Sequence, residues 1–147
     1  MKVLKKGLDL PIAGVPSRLI ESKNVESYGI TGADFKGMKP SFLVEEGDVV
    51  KKGQPIFMAK FDNRVKFVAP VSGQVTKISR GSRRAFQTVS IRRDSSNTDN
   101  FSFKDYKGGN VDSYSREQLV TLLAEAGLWC ALRTRPFSKV PSLGQVP

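Results

Sequence analysis

Apolar and polar residues alternate in short runs along most of this chain, and few of the runs are long enough for a helix. Leu8, Leu10 and Ile12 alternate with Asp9 and Pro11, which predicts a short half-buried strand with an edge proline. Ala13-Gly14-Val15-Pro16 punctuates a turn, and Val25 to Ile30 reads as a second strand ending near Thr31-Gly32-Ala33-Asp34. Between residues 42 and 91 the alternation becomes regular. Phe42 and Val44, then Ile56 and Met58, then Val65, Phe67 and Ala69 each fall on one face of an extended segment. Val75 with Ile78, and Val89-Ser90-Ile91, continue the pattern. Turn residues separate the runs: Glu46-Gly47-Asp48, Lys51-Lys52-Gly53-Gln54, Pro70 to Gly73, and Gly81. Short strands with turns this frequent predict a small all-β sandwich or barrel.

The pattern changes after residue 93. Residues 94–114 are polar and turn-rich and predict a surface connector, with Phe101, Phe103 and Tyr106 tacked onto something apolar. Ser115 followed by Gln118 fits a capping box. Leu119, Leu122, Leu123 and Ala126 share one helical face, and Gly127 suits the stop, so a helix is predicted over about residues 116–126. In the tail, Pro136, Pro141 and Pro147 break regular structure while Trp129, Phe137 and Val140 still call for burial. More protein is therefore expected beyond Pro147. The organisation that follows is a β domain over 1–93, a polar connector over 94–114, and a helix and linker over 115–147.

Composition narrows the chemistry. The 147 residues, 39% apolar and 26% charged, suit one soluble domain. Neither an apolar run of membrane length nor a signal-like start is present, so a spanning or exported protein is not expected. There is no histidine and a single cysteine, Cys130. Histidine-dependent nucleophiles and bases, internal disulfides, and haem or iron–sulfur ligation are excluded for these residues. No GxGxxG follows a strand, so no dinucleotide site is visible. Cys130, between Trp129 and Ala131, is read as buried inert packing.

The net charge is +10, and Lys77 to Arg93 holds six bases and no acid. Such a stretch is either a solvated face or a surface for an anionic partner, whether a neighbouring subunit or an anionic membrane surface. Nucleic acid is disfavoured, because no helix-turn-helix, zinc finger or aromatic–basic strand pattern accompanies the charge. Arg83 and Arg84 lie in this stretch, and Arg133 and Arg135 lie in the tail. These four are the candidate contacts for a partner or anion. Arg133 and Arg135, two apart in an extended segment before Pro136, should face one way. An internal salt bridge fixing the linker is the favoured role for them. Phe67, Phe86 and Trp129 are read as core rather than as the lining of a ligand pocket.

Two motifs carry a resemblance. Val44-Glu45-Glu46-Gly47-Asp48-Val49-Val50-Lys51-Lys52-Gly53-Gln54-Pro55-Ile56 resembles the entry strands of a biotinyl/lipoyl-like domain, and Val68-Ala69-Pro70-Val71-Ser72-Gly73-Gln74-Val75 resembles the matching exit. The implied fold is mainly β, a biotinyl/lipoyl-like barrel-sandwich hybrid with one C-terminal α-helix and an extended tail. Carrier members hold a modified lysine at a hairpin tip. Counting from both motifs puts that tip at Asp62 or Asn63, and Lys60 stands off it, which argues against a carrier.

The remaining motifs are similar to the A subunit of the bacterial sodium-translocating NADH:quinone reductase. They are Lys5-Lys6-Gly7-Leu8-Asp9-Leu10-Pro11-Ile12-Ala13-Gly14, Gly37-Met38-Lys39-Pro40, Gly127-Leu128-Trp129, and Ala131-Leu132-Arg133-Thr134-Arg135-Pro136-Phe137-Ser138-Lys139. The C subunit of the Rnf electron-transport complex shares the β module, but the wording from Trp129 to Lys139 favours the sodium pump. The resemblance implies a complex that uses NADH, flavins, iron–sulfur centres and quinone and exports sodium. It implies a peripheral subunit on the cytoplasmic side of the membrane, with the other subunits as partners and quinone as a further contact. The fragment is expected to be a scaffold and docking domain with no redox centre, not catalytic alone.

Overall fold

The computed structural model describes residues 14–145 apart from Pro16 and Thr98. The strand expected around Leu8, Leu10 and Ile12 lies outside the described residues. Among the described residues, seven strands form two sheets. β1 (Ser27–Thr31), β7 (Phe86–Arg93), β6 (Gly73–Arg80) and β3 (Val49–Val50) make one, in the order β1-β7-β6-β3. β2 (Pro40–Phe42), β4 (Pro55–Ala59) and β5 (Asp62–Val68) make the other, in the order β2-β4-β5. Every pairing is antiparallel, and the sheets do not close into one barrel.

The two motifs that carried the fold expectation bond to each other. Gly47 N–H donates to the Val75 carbonyl at 2.8 Å, and Val75 N–H donates to that of Asp48 at 2.9 Å. Gly53 N–H donates to Ala69 at 2.8 Å, and Ala69 N–H donates to Gln54 at 2.9 Å. Gly47 (φ 100°) and Gly53 (φ 86°) adopt the left-handed backbone these turns require. Gly73 is needed for another reason: a Cβ there would run into the Arg92 carbonyl of β7.

Most of the alternating positions fill the space between the sheets, but β4 departs from the expected Ile56–Met58 face: Phe57 and Ala59 are buried with Ile56, and Met58 is half-buried. Val50, Ile56, Phe57, Ala59, Val65, Phe67, Val75, Val89 and Ile91 are buried. Phenylalanine rings form a continuous chain through this core. Phe35 meets Phe67 edge-on with centroids 4.8 Å apart, and Phe67 stacks on Phe57 at 4.6 Å. Phe57 contacts Phe42 at 5.6 Å and Phe86 at 5.3 Å. Phe67 and Trp129 are thus core, as expected, and Phe86 is packed against it.

The structure moves the β4–β5 hairpin tip. Ala59 pairs with Asp62, so the turn is Lys60–Phe61 rather than Asp62–Asn63. The register jumps between Met58 and Ala59, leaving three surplus residues, Asn63 to Val65, bulged into β5. A count that divides the segment evenly cannot see this one-sided surplus. Lys60 is therefore in the turn itself, exposed, and the sequence argument placing it off the tip is overturned.

α1 (Arg116–Glu125) has the expected capping box. Ser115 Oγ accepts from Gln118 N–H at 3.2 Å, and Gln118 Oε1 accepts from Ser115 N–H at 3.0 Å. Its packed face differs from the expected leucine face. Ala124 is buried and Val120 packs on the core, while Leu123 is 38% exposed. Lys66 Nζ of β5 lies 3.3 Å from Glu125 Oε1 on the side of the helix that faces β5. In the connector, Phe101 and Phe103 pack edge-on at 5.4 Å beside Gly53, but Tyr106 is 62% exposed and stays outside the core.

The tail buries more than its prolines suggest. Trp129 Nε1 donates to the Pro141 carbonyl at 3.0 Å, and Trp129, Val140 and Pro141 are buried; Phe137 stays 65% exposed. Replacing Phe57 by alanine should cost about 3–5 kcal/mol in urea unfolding, whereas Phe137→Ala should change stability by less than about 0.5 kcal/mol.

Candidate functional site

The first arginine pair sits at the β6–β7 connection. Gly81 N–H donates to Ala85 O at 2.7 Å, Arg84 N–H to Gly81 O at 3.1 Å and Ala85 N–H to Ser82 O at 3.1 Å, closing a tight loop. Arg83 (φ 54°) and Arg84 (φ 59°) both occupy the left-handed region, at a cost of about 1–2 kcal/mol for each side chain bearing a Cβ. Both are exposed, and neither forms an ion pair among the described residues. Arg80, just before them, lays its guanidinium over Phe42 at 5.0 Å. Arg93 Nη1 reaches only Asn24 Oδ1, at 3.5 Å. Lys77 and Arg92 are exposed on the same two strands, and Glu46 places an acid among these cations, its Oε1 accepting from the Ile78 N–H at 2.6 Å.

The second pair is divided. Arg133 is half-buried with its guanidinium 4.9 Å from the Phe35 ring centroid. Its Nη1 is buried without a hydrogen-bond partner among the described residues. The expected internal salt bridge is not what holds it there, because no carboxylate among the described residues pairs with it. Arg135 is exposed. The two do not share one side of an extended segment. Thr134 N–H donates to Lys139 O at 2.8 Å and Ser138 N–H to Thr134 O at 2.8 Å, so the chain doubles back at Arg135. The Arg135–Pro136 peptide within this turn is cis. No contact among the described residues joins Arg133 or Arg135 to Arg83 or Arg84. Arg133 and Arg80 instead cap opposite ends of the phenylalanine chain.

Sequence reasoning missed Asp62 as an organising residue. Its side chain is 6% exposed. Oδ2 accepts from Arg64 Nη2 at 2.8 Å and from the Leu143 backbone N–H at 3.0 Å; Oδ1 accepts from Arg64 Nε at 2.9 Å. Chiefly the Arg64 hydrogen bonds, helped by Leu143, hold its carboxyl down at about 2 against the pull of burial. Asp62 thus ties the tail to the hairpin across 81 residues, a link that no local pattern signals. Between β5, α1 and this tail lies a cleft of about 530 Å³ with Trp129, Val120, Ala124 and Leu143 along its floor.

Cys130 donates its S–H to Gly127 O at 2.9 Å, and burial pushes its thiol up, outweighing the pull of Arg133. The setting is that of an unreactive packed thiol. Among the described residues, no three His, Cys, Asp or Glu side chains gather as metal ligands, and no helix is long and apolar enough to cross a membrane.

Two family models match the chain. Residues 2–94 match the NqrA N-terminal barrel-sandwich hybrid domain, and residues 114–147 match the NqrA second alpha/beta domain. Among curated relatives, the chain is 46% identical over 148 residues to the A subunit of the Na(+)-translocating NADH-quinone reductase of Marinomonas sp. (strain MWYL1), covering 100% of this chain and 33% of the relative. It is 47% identical to that of Actinobacillus pleuropneumoniae serotype 5b (strain L20), covering 100% of this chain and 32% of the relative. It is 49% identical over 144 residues to that of Haemophilus influenzae (strain PittEE), covering 97% of this chain and 32% of the relative. The chain therefore spans about a third of the length of these relatives.

Because the folded Asp62 carboxyl titrates near 2, below the ordinary value of 3.8, its contribution to stability is complete above about pH 4 and is lost as pH falls toward 2. Asp62→Asn should cost about 1–2 kcal/mol near neutral pH and flatten that acid limb, as read from urea unfolding across pH.

Proposed function

The chain belongs to the A-subunit family of the Na(+)-translocating NADH-quinone reductases, and from that premise we propose that it is the N-terminal scaffold and docking portion of such a protein. Three regions carry this reading: residues 1–93 as the β docking domain, 94–114 as a connector, and 115–147 as the helix and linker into the next domain. The partners are the other subunits of the reductase, and the position is peripheral, on the cytoplasmic side of the membrane. The NADH, flavin, iron–sulfur and quinone chemistry belongs to the complex as a whole. With no histidine and one packed cysteine, these residues have no ligand set for a haem or cluster, so the chain supplies shape and charge rather than electrons.

The observation that carries the reading is the turn at Arg83 and Arg84. Two successive arginines hold a backbone conformation that glycine would hold without strain, and both project from the hairpin as cations unpaired among the described residues. Such strain, kept at an exposed turn, points to a contact made there. Arg83 and Arg84 meet carboxylates or another anionic group on a neighbouring subunit. Arg133 acts inward: its guanidinium clamps the Phe35 ring within the fold.

A second reading, direct contact with quinone, rests on the cleft beside Trp129, whose floor could take an apolar ring. A quinone photolabel on the whole complex that marks Trp129 or Leu143 would favour it; labelling confined to other subunits would end it.

Replacing Arg83 and Arg84 together by glycine separates docking from stability. The isolated chain should gain about 1 kcal/mol or more in thermal unfolding. The full-length A subunit with the same change should lose at least about tenfold in co-purification with the other subunits, as expected for two lost charge contacts. Normal assembly would overturn the docking role. The isolated chain should also show its unmodified mass and no visible absorption; a lipoyl or biotinyl adduct, or a bound chromophore, would contradict the scaffold reading.

A further inference from the structure

Two sequence motifs that the docking reading leaves unused are brought together by the fold. Gly37-Met38-Lys39-Pro40 and the tail turn Thr134–Lys139 lie almost a hundred residues apart in sequence. Lys139 Cε nevertheless rests 3.8 Å from where a Gly37 Cβ would stand. The hairpin turn Lys60–Phe61 joins them, because Lys60 N–H donates to the Lys39 carbonyl at 2.8 Å. Asp62, the residue after that turn, fastens the tail to the hairpin through the Leu143 N–H. Three tight turns therefore meet at one end of the molecule.

This end has an uncommon composition. Lys39, Lys60, Arg135 and Lys139 are exposed, and none is in an ion pair among the described residues. No acid occurs within residues 35–39, 60–61 or 134–139. Phe61 is 50% exposed and Phe137 is 65% exposed, each in a turn beside these cations. Lys139 Nζ stands 5.9 Å from the Phe137 ring centroid. Exposed phenylalanines on turns, surrounded by unpaired cations, are the chemistry of an interfacial anchor: rings enter the headgroup boundary while cations meet anionic headgroups. The Lys77–Arg93 face has the charge but lacks an exposed aromatic ring of this kind.

We propose that this three-turn end rests on the surface of an anionic phospholipid bilayer, with Phe61 and Phe137 inserted at headgroup depth and Lys39, Lys60, Arg135 and Lys139 on the headgroups. The proposal deepens the peripheral position given above and uses a different surface from the Arg83–Arg84 docking turn. Binding needs no shaped partner, because turns present rings and charges to a fluid surface.

The test is co-sedimentation of the chain with vesicles of phosphatidylglycerol mixed with phosphatidylcholine, against vesicles of phosphatidylcholine alone. Binding should require phosphatidylglycerol and weaken with salt. Arg135→Ala with Lys139→Ala should reduce partitioning about twenty-five-fold, taking about fivefold for each charge lost at the surface. Phe137→Ser should reduce it about tenfold. Lys23→Ala with Lys104→Ala removes the same charge from exposed positions elsewhere and should leave partitioning within about twofold. Thermal unfolding of each variant confirms that it is folded; Lys60→Ala with Phe61→Ser serves if the tail variants are not. No binding to phosphatidylglycerol vesicles, or equal loss in the Lys23/Lys104 variant, overturns the proposal. So does binding to polyglutamate, abolished by the same tail changes, in a chain that ignores vesicles; that result assigns the surface to an acidic protein. Failure here leaves subunit docking through Arg83 and Arg84 standing, since co-purification reads that separately.

Discussion

The phenylalanine chain from Phe35 through Phe67 and Phe57 to Phe42 and Phe86 is what joins the two sheets. Its members come from β2, β4, β5, the start of β7 and the turn after β1, so each sheet contributes rings to the other's interior. Each edge-on or stacked pair adds about 0.5–1.5 kcal/mol beyond simple burial. The two sheets share no ladder of their own, so this packing carries what backbone bonding does not. Guanidiniums close both ends, Arg80 over Phe42 and Arg133 over Phe35.

That arrangement leaves the outside free for charge. With the apolar positions used inside, the turns need only satisfy their own backbone, and several are basic. The β6–β7 turn accepts two strained arginines because the long β6–β7 pairing holds it in place. At the other end, three turns fixed by Asp62, Lys39 and Gly37 bring together cations that would repel one another if their backbones were free. Rigid β turns can hold such groupings because the conformational cost has already been met by the core.

Much of this was legible residue by residue. The alternation of Ile56, Val65, Phe67, Val75, Val89 and Ile91 marks the inner face, because side chains on a strand repeat every second residue and only one face is buried. Ser115 and Gln118 announce the helix start through bonds that span three residues. Gly47 and Gly53 announce turns through a backbone conformation that other residues resist. The hairpin tip was misplaced because the bulge at Asn63 to Val65 follows from pairing with β4, which local order does not contain. The helix presents Val120 and Ala124 instead of its leucines, a choice made by its packing against β5, a strand about sixty residues away in sequence.

The sequence by itself determined the fold class, the turns at Gly47, Gly53 and Gly81, the helix and its cap, and the family. All of these depend on residues close together in the chain or on counts of residue types. Only the tertiary structure decided which side of the helix is buried, where the hairpin turns, that Arg133 faces a ring instead of a carboxylate, and that Asp62 holds the tail. It also decided that the Gly37 and Lys139 motifs meet. These are contacts between segments tens of residues apart, set by register, bulges and the packing of rings, and a local pattern has no access to that geometry.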